Sequence, residues 1–104
     1  MSKPVQVTDS DFDNFVKTNP KVVVDCWAAW CAPCRMIAPI IDELASEKTD
    51  VKFAKLDVDK NRAIPSKYGI MSIPTLLYFK DGKLVDKTLG ALPKQMIEAK
   101  IASM

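Results

Sequence analysis

Apolar residues recur along this chain at two distinct periods, and their alternation predicts a βαβαβαββα order of elements. Val5-Gln6-Val7 reads as a short first strand. Thr8 then caps a helix with Asp9 and Asp11 in its first turn, Phe12, Phe15 and Val16 on its apolar face, and Asn19-Pro20 at its end. Val22 to Trp27 is almost unbroken in apolar character, the signature of a strand buried on both faces. A second helix follows from about Cys31 to Lys48. Cys34, Ile37, Ile41 and Leu44 form its inward stripe, and Pro39 interrupts its hydrogen bonding. Val51 to Val58 is the next strand, and a short helix near Pro65 to Tyr68 ends at Gly69. Thr75 to Lys80 and Lys83 to Leu89 form a hairpin across Asp81-Gly82. Pro93 opens the last helix, with Ile97, Ile101 and Met104 on its buried side. The first half needs a right-handed parallel crossover and the hairpin needs an antiparallel pair. The expected class is therefore α/β, a central mixed five-stranded sheet flanked by four helices on both faces.

Composition changes this picture little. A chain of 104 residues is long enough for one domain, residues 1–104, with a core that needs no disulfide staple. A formal net charge of +2 is too small to argue for nucleic acid or a membrane surface. No apolar run approaches a membrane span, and Met1-Ser2-Lys3-Pro4-Val5-Gln6 carries no hydrophobic leader. A cytoplasmic location is the expectation, and there a cysteine pair is working rather than structural. The absence of histidine removes the commonest general base and the commonest zinc ligand.

The chemistry concentrates in Trp30-Cys31-Ala32-Pro33-Cys34, where the central strand gives way to the second helix. Residues i and i+3 of a first helical turn lie about 5–6 Å apart at Cα, a separation that suits a reversible disulfide. Cys31 lies at the helix N-terminus, where unpaired N–H groups and the dipole favour a thiolate, so it is the expected nucleophile. Cys34 lies one turn in, on the buried stripe. The expectation is an exposed, activated Cys31 beside a sheltered Cys34 that stays protonated until it resolves the intermediate. A zinc site needs about four ligands, and three cysteines without histidine fall short. Asp25 is the outlier of the central strand, because a buried carboxylate is costly unless neutral or paired. Strand alternation puts it on the face of Val23 and Trp27. There it either takes the Cys34 proton, directly or through a water, or is a hydrogen-bonded structural residue; burial alone does not separate the two.

Val24-Asp25, Trp27-Ala28, Trp30-Cys31-Ala32-Pro33-Cys34 and Ile73-Pro74-Thr75 closely resemble the thioredoxin family. The resemblance covers nearly the whole chain, from Thr8 to the last helix. It implies the thioredoxin fold and a dithiol–disulfide oxidoreductase that reduces protein disulfides through a mixed disulfide. It implies no bound cofactor, since the Cys31–Cys34 pair is the redox group. Electrons would come from a thioredoxin reductase, the substrates would be disulfide-containing proteins, and the chain would act as a monomer.

The resemblance also assigns roles. Asp25 becomes a proton relay and Lys55, in the adjacent strand, its charge partner; read alone, Lys55 is a solvated strand lysine. Ile73-Pro74 would be a cis bond, leaving the Ile73 backbone free to pair with an extended substrate segment. Trp30, Ala32 and Pro33 would meet the substrate, and Gly69, Gly90 and Ala91 would complete the docking surface. An exposed Trp30 indole would offer an apolar platform, whereas the default for Trp27 is ordinary packing.

Two positions depart from the family pattern. Ala32 stands where Gly is usual, which stiffens the turn and should tune the potential without changing the reaction class. Cys26 stands where a large aromatic is common, and it reads as a buried, inert thiol on the face opposite Asp25, with a redox role as the lesser alternative. Two other functions share these features. An oxidant or isomerase on the same fold is disfavoured by the missing leader and the missing histidine between the cysteines. A non-redox assembly subunit would keep its function without either cysteine.

Overall fold

The computed structural model describes residues 3–104; Met1 and Ser2, the start of the segment read above as lacking a leader, lie outside the described residues. Five strands and four helices follow in the expected order. They are β1 (Val5–Gln6), α1 (Phe12–Thr18), β2 (Lys21–Trp27), α2 (Ala32–Glu47), β3 (Lys52–Asp57), α3 (Ala63–Lys67), β4 (Thr75–Lys80), β5 (Lys83–Leu89) and α4 (Lys94–Ala102). The strands form one sheet in the order β1-β3-β2-β4-β5. β1, β3 and β2 are parallel, while β4 runs antiparallel to both β2 and β5. β2 is thus the central strand, which is why Val22 to Cys26 are buried without a break.

Alternation along β2 divides the core. Val22, Val24 and Cys26 face a cluster with Phe12, Val16 and Phe79, into which Tyr68 packs. Phe12, Tyr68 and Phe79 meet with ring centroids 5.6 to 5.8 Å apart. Val23 faces the other side, with Ile37, Ile41 and Leu44 of α2, Tyr78 of β4, and Ile97 and Ile101 of α4. Met104 is only partly buried against that cluster. Asp81 (φ 52°) and Gly82 (φ 80°) make the tight hairpin turn that Asp-Gly predicts.

Two helix starts differ from expectation. Thr8 does not cap α1. Its backbone N–H donates to Asp11 Oδ1 (2.7 Å) and its hydroxyl meets Ser10, closing a turn that delays the helix to Phe12. That turn leaves Asp9 outside the helix and free to act at long range. Its carboxylate accepts the backbone N–H groups of Ala63 and Ile64, each at 3.0 Å, which start α3. α3 therefore begins before Pro65, which sits in the first turn where a missing N–H costs nothing. Gly69 follows at φ 63°, as expected for a helix stop. Asp9 thus ties the loop after β1 to the segment that carries one wall of the site.

Candidate active site

β2 delivers the chain to the carboxyl end of the parallel strands, where open α/β sheets place their sites. Cys31 is the N-cap of α2, and Ala32 and Pro33 occupy its exposed first positions. Proline suits this place because the first helical N–H groups have no partner in the helix. Cys31 and Cys34 are joined as a disulfide, with Cα atoms 5.3 Å apart. The Cys34 backbone N–H donates to Cys31 Sγ at 3.2 Å. That donor and the helix dipole are already aimed at the sulfur that would carry negative charge once the bond opens.

The expected contrast in exposure is not present. Cys31 and Cys34 are both buried, each 3% exposed. In the disulfide state Cys31 lies beside Ala28 and Cys34, and Trp27, Val58 and Ile73 pack against this group. The asymmetry lies in position instead: Cys31 at the helix mouth, 3.8 Å from the Ile73 carbonyl, and Cys34 on the inward stripe of α2.

Asp25 is buried on the α2 side of β2, and neither carboxylate oxygen has a hydrogen-bond partner among the described residues. Burial pushes its pKa up to about 6; Lys55 pulls it down and Asp42 adds a smaller upward push. No side chain or backbone group among the described residues supplies the bonds that a hydrogen-bonded structural role would use. Lys55 lies directly across from Asp25 in the β2–β3 register, but it makes no ion pair with it. Its ammonium sits over the Trp27 ring, 4.9 Å from the centroid, and reaches Asp25 only through its field.

Trp30 is 69% exposed, and its indole N–H donates to Asp59 Oδ2 at 2.9 Å. Asp57 holds the turn that presents Asp59 by accepting the backbone N–H groups of Asp59 and Lys60. Beside Trp30 opens an apolar groove of about 270 Å³, walled by Val58, Pro65, Ile70, Met71 and Ile73. The Ile73–Pro74 bond is cis. Gly90, at φ 87°, donates its N–H to the Pro74 carbonyl at 2.9 Å. The fold therefore brings together Trp30, Cys31, Cys34, Ile73 and Pro74. Gly69, Gly90 and Ala91 do not line the groove. Asp59, Val58, Ile70 and Met71 were not singled out from the sequence. The closely spaced aspartates after a strand do announce a turn, but nothing local says that the turn meets Trp30.

Cys26 is fully buried in the opposite core. Burial and the field of Asp25 push its thiol up to about 12. Brief alkylation of the reduced protein, read by mass spectrometry, should label Cys31 and leave Cys26 unmodified. Rapid labelling of Cys26, or its oxidation to a disulfide with either partner, would contradict this placement. Among the described residues no group of three metal-ligating side chains comes together, and no helix is long and apolar enough to cross a membrane.

Comparison with known proteins agrees with this geometry. The family model described as Thioredoxin matches residues 3–103. The chain is 53% identical over 94 residues to a thioredoxin of Staphylococcus epidermidis, covering 88% of each chain. It is 50% identical over 96 residues to thioredoxin 1 of Synechococcus elongatus, covering 90% of each. The oxidised mitochondrial thioredoxin 3 of Saccharomyces cerevisiae superposes with a TM-score of 0.91 at 34% identity, covering 97% of this chain and 95% of that one. A cysteine pair closed at a helix mouth, on this sheet and with these relatives, places the chain in the thioredoxin family, as a dithiol–disulfide oxidoreductase.

Proposed function

We propose that the chain reduces disulfides of proteins that dock in the Trp30–Ile73 groove, with Asp25 managing the proton of the second step. The observation that carries this reading is the Cys31–Cys34 bridge at the N-terminus of α2, packed against Val58 and Ile73, which wall an apolar groove. In the reduced protein the Cys31 thiolate attacks one sulfur of the substrate disulfide. A Cys31–substrate bond forms, the substrate S–S bond breaks, and one substrate thiolate leaves and is protonated. Cys34 then loses its proton and attacks Cys31 Sγ, which releases the second substrate thiol and restores the observed disulfide. Asp25 supports the role of acceptor for the Cys34 proton: it lies on the β2 face that packs against α2, and near neutral pH it is ionised at a cost that taking up a proton relieves. Lys55 tunes that carboxylate through its field. The Ile73 backbone, beside Cys31, presents the edge on which an extended substrate segment lies, and Trp30, Ala32 and Pro33 flank it. Gly90, whose N–H donates to the Pro74 carbonyl, and Ala91 complete the docking surface beside that loop.

Each cycle oxidises the pair by two electrons, so a thioredoxin reductase must return two electrons and two protons. The redox group is the cysteine pair itself, with no further cofactor. In this reading the chain is a single-domain monomer of the cytoplasm, acting on protein disulfides rather than on nucleic acid or membranes. Two measurements test the proposal: reduction of insulin disulfides by the dithiol form, and its equilibrium with a glutathione buffer. Rapid insulin reduction and a potential below that of glutathione are expected. A potential above about −200 mV would assign the chain to the oxidants and isomerases instead.

A further inference from the structure

We propose that Met71 is an oxidation-sensitive contact of the target groove, and that its conversion to the sulfoxide weakens docking of protein substrates. This rests on the reading of the groove as the place where protein targets bind. Three observations meet at this residue. Met71 lines the groove with Trp30 and Ile73. It is 98% exposed, the highest value among the exposed large apolar side chains of the described residues, against 68% for Met36 and 52% for Met96. It also stands two residues from Ile73, whose carbonyl lies beside Cys31 Sγ. A flexible thioether left in water at the rim of an apolar groove can mould itself to varied apolar surfaces. The same exposure opens its sulfur to peroxides.

The chemistry is oxygen-atom transfer from hydrogen peroxide. The O–O bond breaks and an S–O bond forms at the Met71 sulfur. The thioether is oxidised by two electrons, and the peroxide is reduced and leaves as water. In the disulfide form of the chain no active-site thiol competes, because Cys31 and Cys34 are bonded to each other and Cys26 is fully buried. The product carries a strong dipole on the groove rim. A target that covers it must then desolvate a polar group without a partner. Substrates that rely on the groove lose affinity, whereas a small disulfide that needs only Cys31 loses far less.

The oxidised chain is treated with dilute hydrogen peroxide, and sulfoxide at each methionine is followed by peptide mass spectrometry. Met71 should react faster than Met36 and Met96. After reduction of the disulfide with dithiothreitol, kcat/KM is measured for insulin and for hydroxyethyl disulfide. The insulin-to-small-disulfide ratio should fall roughly three- to tenfold after peroxide, as an apolar contact becomes a desolvation cost. Met71→Gln, which places a polar group at the same length, should lower the ratio similarly without peroxide. In Met71→Leu the ratio should no longer respond to peroxide, although Met36 and Met96 still oxidise. A Met71 sulfoxide that forms no faster than that of Met96, or a ratio unmoved by Met71→Gln, overturns the proposal. Untreated wild type that reduces neither substrate would instead overturn the disulfide-reduction reading on which it rests.

Discussion

Replacing Cys31 by Ser should reduce turnover of insulin disulfides roughly a thousandfold or more, to background, because a hydroxyl does not replace a thiolate nucleophile. Cys34→Ser should fail differently. Attack by Cys31 survives, resolution does not, and a covalent Cys31–substrate disulfide accumulates. Both cysteines are equally buried in the disulfide state, so burial does not predict the division of roles. The helix does: the Cys34 N–H points at Cys31 Sγ, while Cys34 sits on the inward stripe. Non-reducing electrophoresis with mass spectrometry of the adduct reads the outcome directly. Turnover of insulin by Cys34→Ser at the native rate, or an adduct that forms in Cys31→Ser instead, would reverse the assignment.

Asp25→Ala should give a protein that is slower and, at neutral pH, more stable. The sign follows from the pKa. The folded value is about 6 and the ordinary value 3.8, so the folded chain holds the proton more tightly than the unfolded one. Stability conferred at low pH is therefore lost as pH rises from about 4 through about 6, and this loss amounts to about 3 kcal/mol. Alanine removes the ionisation penalty. The stability difference between variant and wild type should therefore grow by about 3 kcal/mol between roughly pH 3.5 and 7.5. The small cavity left by the substitution offsets part of the gain at every pH. Insulin reduction should slow by about 10²-fold, the low end for a positioned proton acceptor. The dependence of the wild-type rate on a group titrating near 6 should vanish with the carboxylate. Urea denaturation across this pH range and a pH–rate profile supply both readouts. A variant several kcal/mol less stable than wild type at pH 7.5 would mean that Asp25 holds a satisfied network, contrary to its two unpartnered oxygens.

Much of this was legible along the chain because it depends on neighbours in sequence. The unbroken run from Val22 to Trp27, the Asp-Gly turn and the apolar stripe from Cys34 to Leu44 are short-range patterns, and a strand, a hairpin and a helix are their direct consequences. The disulfide was legible for the same reason, since three residues of helix set the Cα separation. Cys26 and Asp25 fell on opposite faces by alternation alone. Other features depended on residues that meet only after folding. Asp9 looked like a first-turn acid of α1, but it caps α3 some 54 residues away, because the turn closed by Asp11 released it. Lys55 read alone looked like a solvated strand lysine, and the family resemblance made it the charge partner of Asp25. The sheet register set it opposite Asp25 and Trp27 took its ammonium, which left the carboxylate unpaired. Cys31 looked exposed because it begins a helix, but Val58 and Ile73 arrive from distant segments and cover it. Local sequence thus determined the elements, the redox pair and the face on which each chemical group lies. The solvation of those groups, and the groove in which Trp30 meets Met71, were decided by tertiary structure, because burial and apolar walls are supplied by residues that only the chain topology brings together.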